Sequence, residues 1–321
     1  MQYSKPLPTR VSFWHSNQAL LSEIVFVFVV AIWGISFIFS KSALEVIGPF
    51  AYNTLRMTLG AVTLAVLVGR DWTQINRTYL RPTLLTGFIL FLSYATQATG
   101  QQFTTASKAG FLTGTNVVYV PIFSALLLRR FPTKPAIAGV ILAFAGLFLL
   151  SFEPGNFAFA PGDIWVALSG MGWAFYIITL AHYSPRLNVI AYASLHVFVA
   201  AALSGFFWLL FEPLTVPITS SALWVGVITT GFLIIGVGTS VQTWVTRLAS
   251  PTRVALIAAL EPVFAAVGGW WIAETITLHV INGGALILMG MVTAELGHLL
   301  RGRRAKFISR NFNRPYHNKS F

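Results

Sequence analysis

Long apolar runs separated by short polar breaks set the pattern of this chain. A helix rises ~1.5 Å per residue, so crossing a bilayer takes about 20 mostly apolar residues. Runs of that kind predict helices near 20–41, 49–69, 82–104, 107–128, 135–152, 163–182, 189–211, 221–246, 253–272 and 278–298. The pattern predicts an all-α integral membrane protein of ten transmembrane helices. The third and fourth runs nearly meet through "QQFTTASKAG", which leaves their limits the softest.

Composition agrees with this segmentation. Of 321 residues, 56% are hydrophobic and only 9% charged, and the mean hydropathy is +0.73. A soluble domain carries roughly a quarter charged residues, so the solvent for most of this surface is lipid. The absence of cysteine excludes a disulfide framework and thiolate metal or redox sites. The first 19 residues are polar and aromatic and lead into a run of spanning length, which predicts a retained first helix rather than a cleaved signal peptide.

The net charge of +12 reads first as a topology signal, because short cytoplasmic loops collect Lys and Arg. With ten spans, eighteen of the 21 basic residues fall on the side shared by the termini, and only Lys41 and Lys108 on the other. Both termini are therefore expected in the cytoplasm, with the chain in the cytoplasmic membrane. The tail "RGRRAKFISRNFNRPYHNK" is expected to contact lipid headgroups, and no nucleic-acid partner is expected.

Arg56 is the remaining basic residue, set in the apolar stretch "PFAYNTLRMTLGAV". A second stretch, "VIAYASLHVFVA", carries the same Ala-Tyr and Leu and has His196 where the first has Arg56. The spacing of 140 also pairs Trp33 of "AIWGISFI" with Trp173 of "MGWAFYII". "PIFSA" at 121–125 matches "PVFAA" at 262–266, and Gly139 and Gly146 match Gly283 and Gly290. These matches keep their order, which points to an internal repeat. Five spans per copy is an odd number, so the second copy lies inverted, an arrangement from which many secondary transporters build alternating access. The expected organisation is a cytoplasmic segment 1–19, a first five-helix repeat 20–152, an external linker 153–162, a second repeat 163–298 and a basic cytoplasmic tail 299–321.

Polar groups within the spans are the candidates for chemistry. Arg56 lies about eight residues into its span, or ~12 Å below the outer surface. A charge near the centre costs about 3 kcal/mol even on the permissive insertion scale, so it must face protein or water. It either holds an anionic group of a substrate or is a structural cation paired with carbonyls or Glu261. His196 sits at equivalent depth from the other side, as a cavity ligand or a hydrogen-bonded core residue. Glu261, at comparable depth, is a candidate proton carrier or a fixed counter-charge. Pro121 and Pro262 remove helix hydrogen bonds at equivalent positions and suit either gating or static kinks. Tyr94, Gln97 and Gln101 share one helix face, as the pair Asn116 and Tyr119 does on the next span. Trp33, Trp173 and Tyr176 offer flat apolar walls, or simply pack helices. Glycines such as Gly34, Gly60 and Gly110 permit close helix contact. No phosphate loop, nucleotide fingerprint or metal-ligand cluster stands in the sequence, so no cofactor is expected and the driving force is a gradient.

Several segments resemble the EamA-type branch of the drug/metabolite transporter superfamily. They are "AIWGISFIFSKSAL", "FAYNTLRMTLGA", "TTASKAGFLTGTNVVYVPIFSALLL" and "ASPTRVALIAALEPVFAAVGGWWIAETIT", and the resemblance covers roughly 20–298. It implies ten helices in a five-plus-five inverted repeat and export or exchange of small metabolites. Glu274 fits the family's ninth-span ending, whereas the matching first-half position is Thr133. The expected function is a secondary transporter, not an enzyme, exporting a small metabolite such as an amino acid or related amphipathic compound. The alternatives are a membrane scaffold without flux and an exchanger of phosphorylated or nucleotide-linked sugars.

Overall fold

The computed structural model describes residues 10–104, 106–129, 131–150, 160–271, 278–279 and 281–294. Glu274, most of the linker 153–162, and the tail 299–321 lie outside the described residues. The described residues are helical throughout, joined by short turns. In chain order the helices are α1 (Arg10–Leu44), α2 (Pro49–Val68), α3 (Leu80–Gln102), α4 (Ala106–Gly114), α5 (Asn116–Leu128) and α6 (Lys134–Leu150). They continue with α7 (Pro161–Tyr183), α8 (Val189–Phe211), α9 (Ser221–Ile228), α10 (Thr239–Leu248), α11 (Pro251–Ala258), α12 (Glu261–Trp271) and α13 (Ile281–Ala294).

Six helical segments among the described residues are long and apolar enough to cross a membrane, and 134–149 and 281–294 form shorter apolar helices. α3 has 23 residues but falls outside the six, since its threonines and glutamines dilute its hydropathy. Large apolar side chains such as Phe28, Val66, Leu126 and Ile141 stand exposed on the outer surface, where lipid is the matching solvent.

Three predicted spans are interrupted. The fourth is divided at Thr115 into α4 and α5, and Pro121 lies inside α5. The ninth breaks at Ala259–Leu260, because Pro262 has no N–H to offer the carbonyl of Ala258. Leu260 turns back instead on Ile257 O (3.0 Å), and Glu261 and Pro262 open α12. Between α9 and α10, Thr229–Gly238 winds as a π-helix, a form concentrated at functional sites.

Side-chain bonds tie the two ends of the bundle. At one end, rich in arginine, Arg253 Nη2 meets Glu23 Oε2 at 2.8 Å and Asn188 N–H donates to the hydroxyl of Tyr79 at 3.0 Å. We call it the basic end. At the far end Lys41 Nζ donates to the carbonyl of Gln101 (2.8 Å), and Thr104 Oγ1 donates to Asp163 Oδ1 (2.5 Å). Orphan N–H groups opening α2 and α8 are capped at matching positions by different means. Asn188 accepts from Ile190 and Ala191 of its own helix, whereas Phe50 and Ala51 donate to the carboxylate of Glu212, just past the end of the neighbouring α8.

Contacts between the halves recur in mirrored pairs. Tyr52 hydroxyl meets Thr230 Oγ1 at 3.0 Å, and Tyr192 hydroxyl meets Thr86 Oγ1 at 2.5 Å. A methyl added at Gly231 would lie 2.8 Å from the carbonyl of Arg56, and one at Gly87 would lie 2.7 Å from that of His196. Gly139 and Gly290 press each other's backbones, and Gly146 meets the carbonyl of Gly283. Without a hydrophobic drive between helices in lipid, such small-residue contacts supply the packing that holds them together.

Candidate functional site

The helical period turns chosen side chains of each span toward one interior cavity. α1 contributes Trp33, Ser36, Phe37 and Ser40, spaced three or four apart on a single face. α3 contributes Tyr94, Gln97 and Gln101 by the same spacing. Arg56 of α2 and Trp173 of α7 enter from the sides. Thr113 and Asn116 flank the interruption at Thr115, and Ala258 and Glu261 flank the break before Pro262. Ile234 of the π-helical stretch and Gln242 of α10 complete the wall toward the basic end.

The cavity is narrow, about 50 Å³. A water needs roughly 10–15 Å³ by this measure, and small-molecule sites run to about 300 Å³ or more. The cavity as it stands is of the size of a few waters and too small for a metabolite. Its basic end is sealed by Phe26, Val30, Val120, Val245 and Val254, all fully buried in one cluster. A larger groove of about 710 Å³ lies between α2 and α8, lined by residues such as Ala61, Ala65, Ala201 and Gly205. Thr54, Thr58 and Ser194 also border that groove, but nearly all the surface it exposes is apolar, so the smaller cavity is the candidate site.

Arg56 is 5% exposed and, among the described residues, is held without a carboxylate. Its Nε and Nη2 donate to Asn53 Oδ1 at 2.9 and 2.6 Å. Its guanidinium lies between two aromatic faces, 4.6 Å from the ring centre of Tyr52 and 4.4 Å from that of Tyr94. Glu261 is half-buried on the same cavity and makes no hydrogen bond or ion pair among the described residues. Asn116 Oδ1 and the indole N–H groups of Trp33 and Trp173 are also buried without partners among the described residues. Such groups call for a partner, which a ligand or water in the cavity would supply.

The chain matches the EamA-like transporter family twice, over residues 20–152 and 160–294. It belongs to the EamA-like transporter family. An uncharacterized transporter of Archaeoglobus fulgidus (strain ATCC 49558 / DSM 4304 / JCM 9628 / NBRC 100126 / VC-16) is 30% identical over 279 residues, covering 86% of each chain. The uncharacterized transporter YoaV of Bacillus subtilis (strain 168) is 24% identical, covering 82% of this chain and 92% of its own. A crystal structure 20% identical superposes with a TM-score of 0.72 over 87% of this chain and 98% of that one, which shows a shared fold. Family and architecture together make this a multi-pass membrane protein with a transporter role.

Within this EamA-like chain, Arg56, Trp33, Trp173, Tyr94, Gln97, Gln101, Asn116 and Glu261 all reach the cavity. His196, Tyr176 and Tyr119 do not. His196 is fully buried behind the wall, where its Nε2 pairs with Tyr176 hydroxyl at 2.9 Å. Tyr176 packs edge-on to Trp173, which in turn stands edge-on to Tyr94 at 4.7 Å. The pair thus backs the aromatic wall from outside it. Tyr119 stacks on Phe123. Pro121 and Pro262 lie near the interruptions but not in the lining. Sequence spacing alone does not single out Ser36, Ser40 or Gln242. The serines share the face of Trp33, and a glutamine inside an apolar span is itself a signal.

Proposed function

We propose that this chain is a secondary transporter that exports a small metabolite bearing a carboxylate, an amino acid or related amphipathic compound, by alternating access. The observation that carries this reading is the presence of Arg56 and Glu261 on one cavity without an ion pair between them. An unpaired cation and an unpaired carboxylate are costly in a membrane interior and serve a ligand or a proton. Arg56 anchors the anionic group, the aromatic wall of Trp33, Trp173 and Tyr94 binds the body, and Glu261 carries a coupling proton. A single arginine suits a carboxylate better than a phosphate dianion, and Lys41 is engaged at the far end by Gln101.

Two family matches, the repeated residues and the mirrored Tyr–Thr and Gly contacts support ten spans in two inverted five-helix repeats. On this reading the basic end faces the cytoplasm, together with both termini, and is the closed side here. Repeat partners of the polar lining are apolar: Gln101 corresponds to Val245, Thr113 to Val254 and Glu261 to Val120. Those valines form the seal. The far-end path is thus polar and the cytoplasmic gate hydrophobic.

The test compares metabolites inside and outside cells expressing wild type with those expressing Arg56→Gln at matched membrane levels. The reading expects one or more compounds to accumulate outside only with wild type. Equal export by both proteins removes Arg56 from the site.

A further inference from the structure

We infer that Asn53 is the positioning residue that keeps Arg56 an un-neutralised cation and thereby reserves the cavity for a substrate with an anionic group. The substrate half of this inference rests on the transporter reading. Its electrostatic half rests on geometry alone.

Asn53 is fully buried on α2, one turn before Arg56. Its Oδ1 receives both guanidinium bonds while its Nδ2 donates to the carbonyl of Tyr94 at 3.1 Å. The amide has only this orientation available, because the reverse sets its NH₂ against the guanidinium and its oxygen against a carbonyl. One neutral side chain thus fixes the cation over the Tyr94 ring and ties α2 to α3. Guanidinium carries five N–H donors, and Asn53 accepts only two bonds. The rest have no partner among the described residues, and the ion pair found there, Arg253 with Glu23, lies at the basic end.

An aspartate in place of Asn53 would have nearly the same shape and a matching oxygen, though its second oxygen would face the Tyr94 carbonyl that Nδ2 now bonds. It would also neutralise Arg56 inside the protein, through a charge-assisted bond stronger than the one to a neutral amide. An internal carboxylate would then occupy the role of the substrate's. At the equivalent positions of the second half, Tyr192 is retained while Asn53 and Arg56 become Ala193 and His196. Tyr192 and His196 still meet edge-on, with ring centres 5.0 Å apart, but no cation among the described residues is held there. The repeat preserves the aromatic support, and one copy alone carries the anion anchor.

The experiment uses purified full-length wild type, Asn53→Asp and Asn53→Leu, with two readouts. The first is the thermal midpoint without added ligand. Asn53→Asp is expected to stay close to wild type, since the counter-charge it supplies offsets the lost bond to the Tyr94 carbonyl. Asn53→Leu is expected to lose several degrees, since it strands the guanidinium. In an Arg56→Gln background the aspartate is expected to become destabilising, because its charge then has no counter-charge. The second is efflux from proteoliposomes loaded with an equimolar mixture of the standard amino acids, read by mass spectrometry. Any compound that wild type exports is expected to leave at least tenfold more slowly through Asn53→Asp. A midpoint for Asn53→Asp as low as that of Asn53→Leu overturns the electrostatic claim. Undiminished efflux through a stable Asn53→Asp overturns the substrate claim. Failure of wild type to export any of the mixture counts against the amino-acid reading instead, and the midpoints still decide the part played by Asn53.

Discussion

Arg56 and Glu261 border the same cavity, yet the cation is held by neutral Asn53 and the carboxylate by nothing among the described residues. Because Glu261 has no bond to lose, Glu261→Gln is expected to change stability by less than about 1 kcal/mol. If the carboxylate carries the coupling proton, the variant keeps substrate exchange across proteoliposomes and loses accumulation driven by a pH gradient. Accumulation at the wild-type level in Glu261→Gln would remove the proton role.

The basic end supplies a second prediction. Arg253 and Glu23 are only partly exposed, with side chains 23% and 11% accessible, and they join α11 to α1 directly below the valine seal. On the proposed mechanism, opening that end parts them. The native chain has no cysteine, so Glu23→Cys with Arg253→Cys introduces the only two thiols. A short bis-methanethiosulfonate linker is expected to stop transport, and dithiothreitol to restore it. Transport through the cross-linked protein would show that this end does not open.

The mirrored glycine contacts fix close helix approach. A side chain at Gly231 collides with the carbonyl of Arg56, and one at Gly87 with that of His196. Both Gly231→Val and Gly87→Val are expected to cost about 1–3 kcal/mol or more, read as a lower thermal midpoint and reduced membrane levels. A substitution tolerated at one position only would break the equivalence of the two contacts.

Arg56 and His196 occupy matching positions but different surroundings. His196→Gln loses a buried hydrogen bond to Tyr176 behind the wall. It is expected to lower stability by about 1–3 kcal/mol and leave the apparent KM within a few-fold of wild type. Arg56→Gln is expected to raise KM by about 10- to 100-fold, the worth of one charged hydrogen-bonding contact. A KM effect for His196→Gln as large as that for Arg56→Gln would place the histidine at the substrate after all.

Much of this architecture is legible in sequence because lipid imposes length and composition on each span. The stripe Tyr94, Gln97, Gln101 is legible for the same reason, since polar side chains at helical spacing have one place to go. Other features depend on three-dimensional closure. The glycines of the π-helical stretch Thr229–Gly238 pack against Arg56, Thr63 and Trp33, long-range contacts that no local pattern encodes. The break at Ala259 is signalled by Pro262, yet Pro121 lies inside a continuous helix, so proline alone does not decide where a span divides. His196 shares the depth of Arg56, but its ring is drawn to Tyr176 and Tyr192, and depth says nothing of rotation about the helix axis.

The central claim is that Arg56 holds the anionic group of the transported compound. It is tested most directly by efflux of that compound and of its methyl ester, which lacks the carboxylate charge, from proteoliposomes containing wild type or Arg56→Gln. The account predicts that wild type favours the carboxylate over the ester by at least tenfold and that Arg56→Gln loses this preference. A wild-type rate and preference in Arg56→Gln would contradict it and leave the buried cation a structural one.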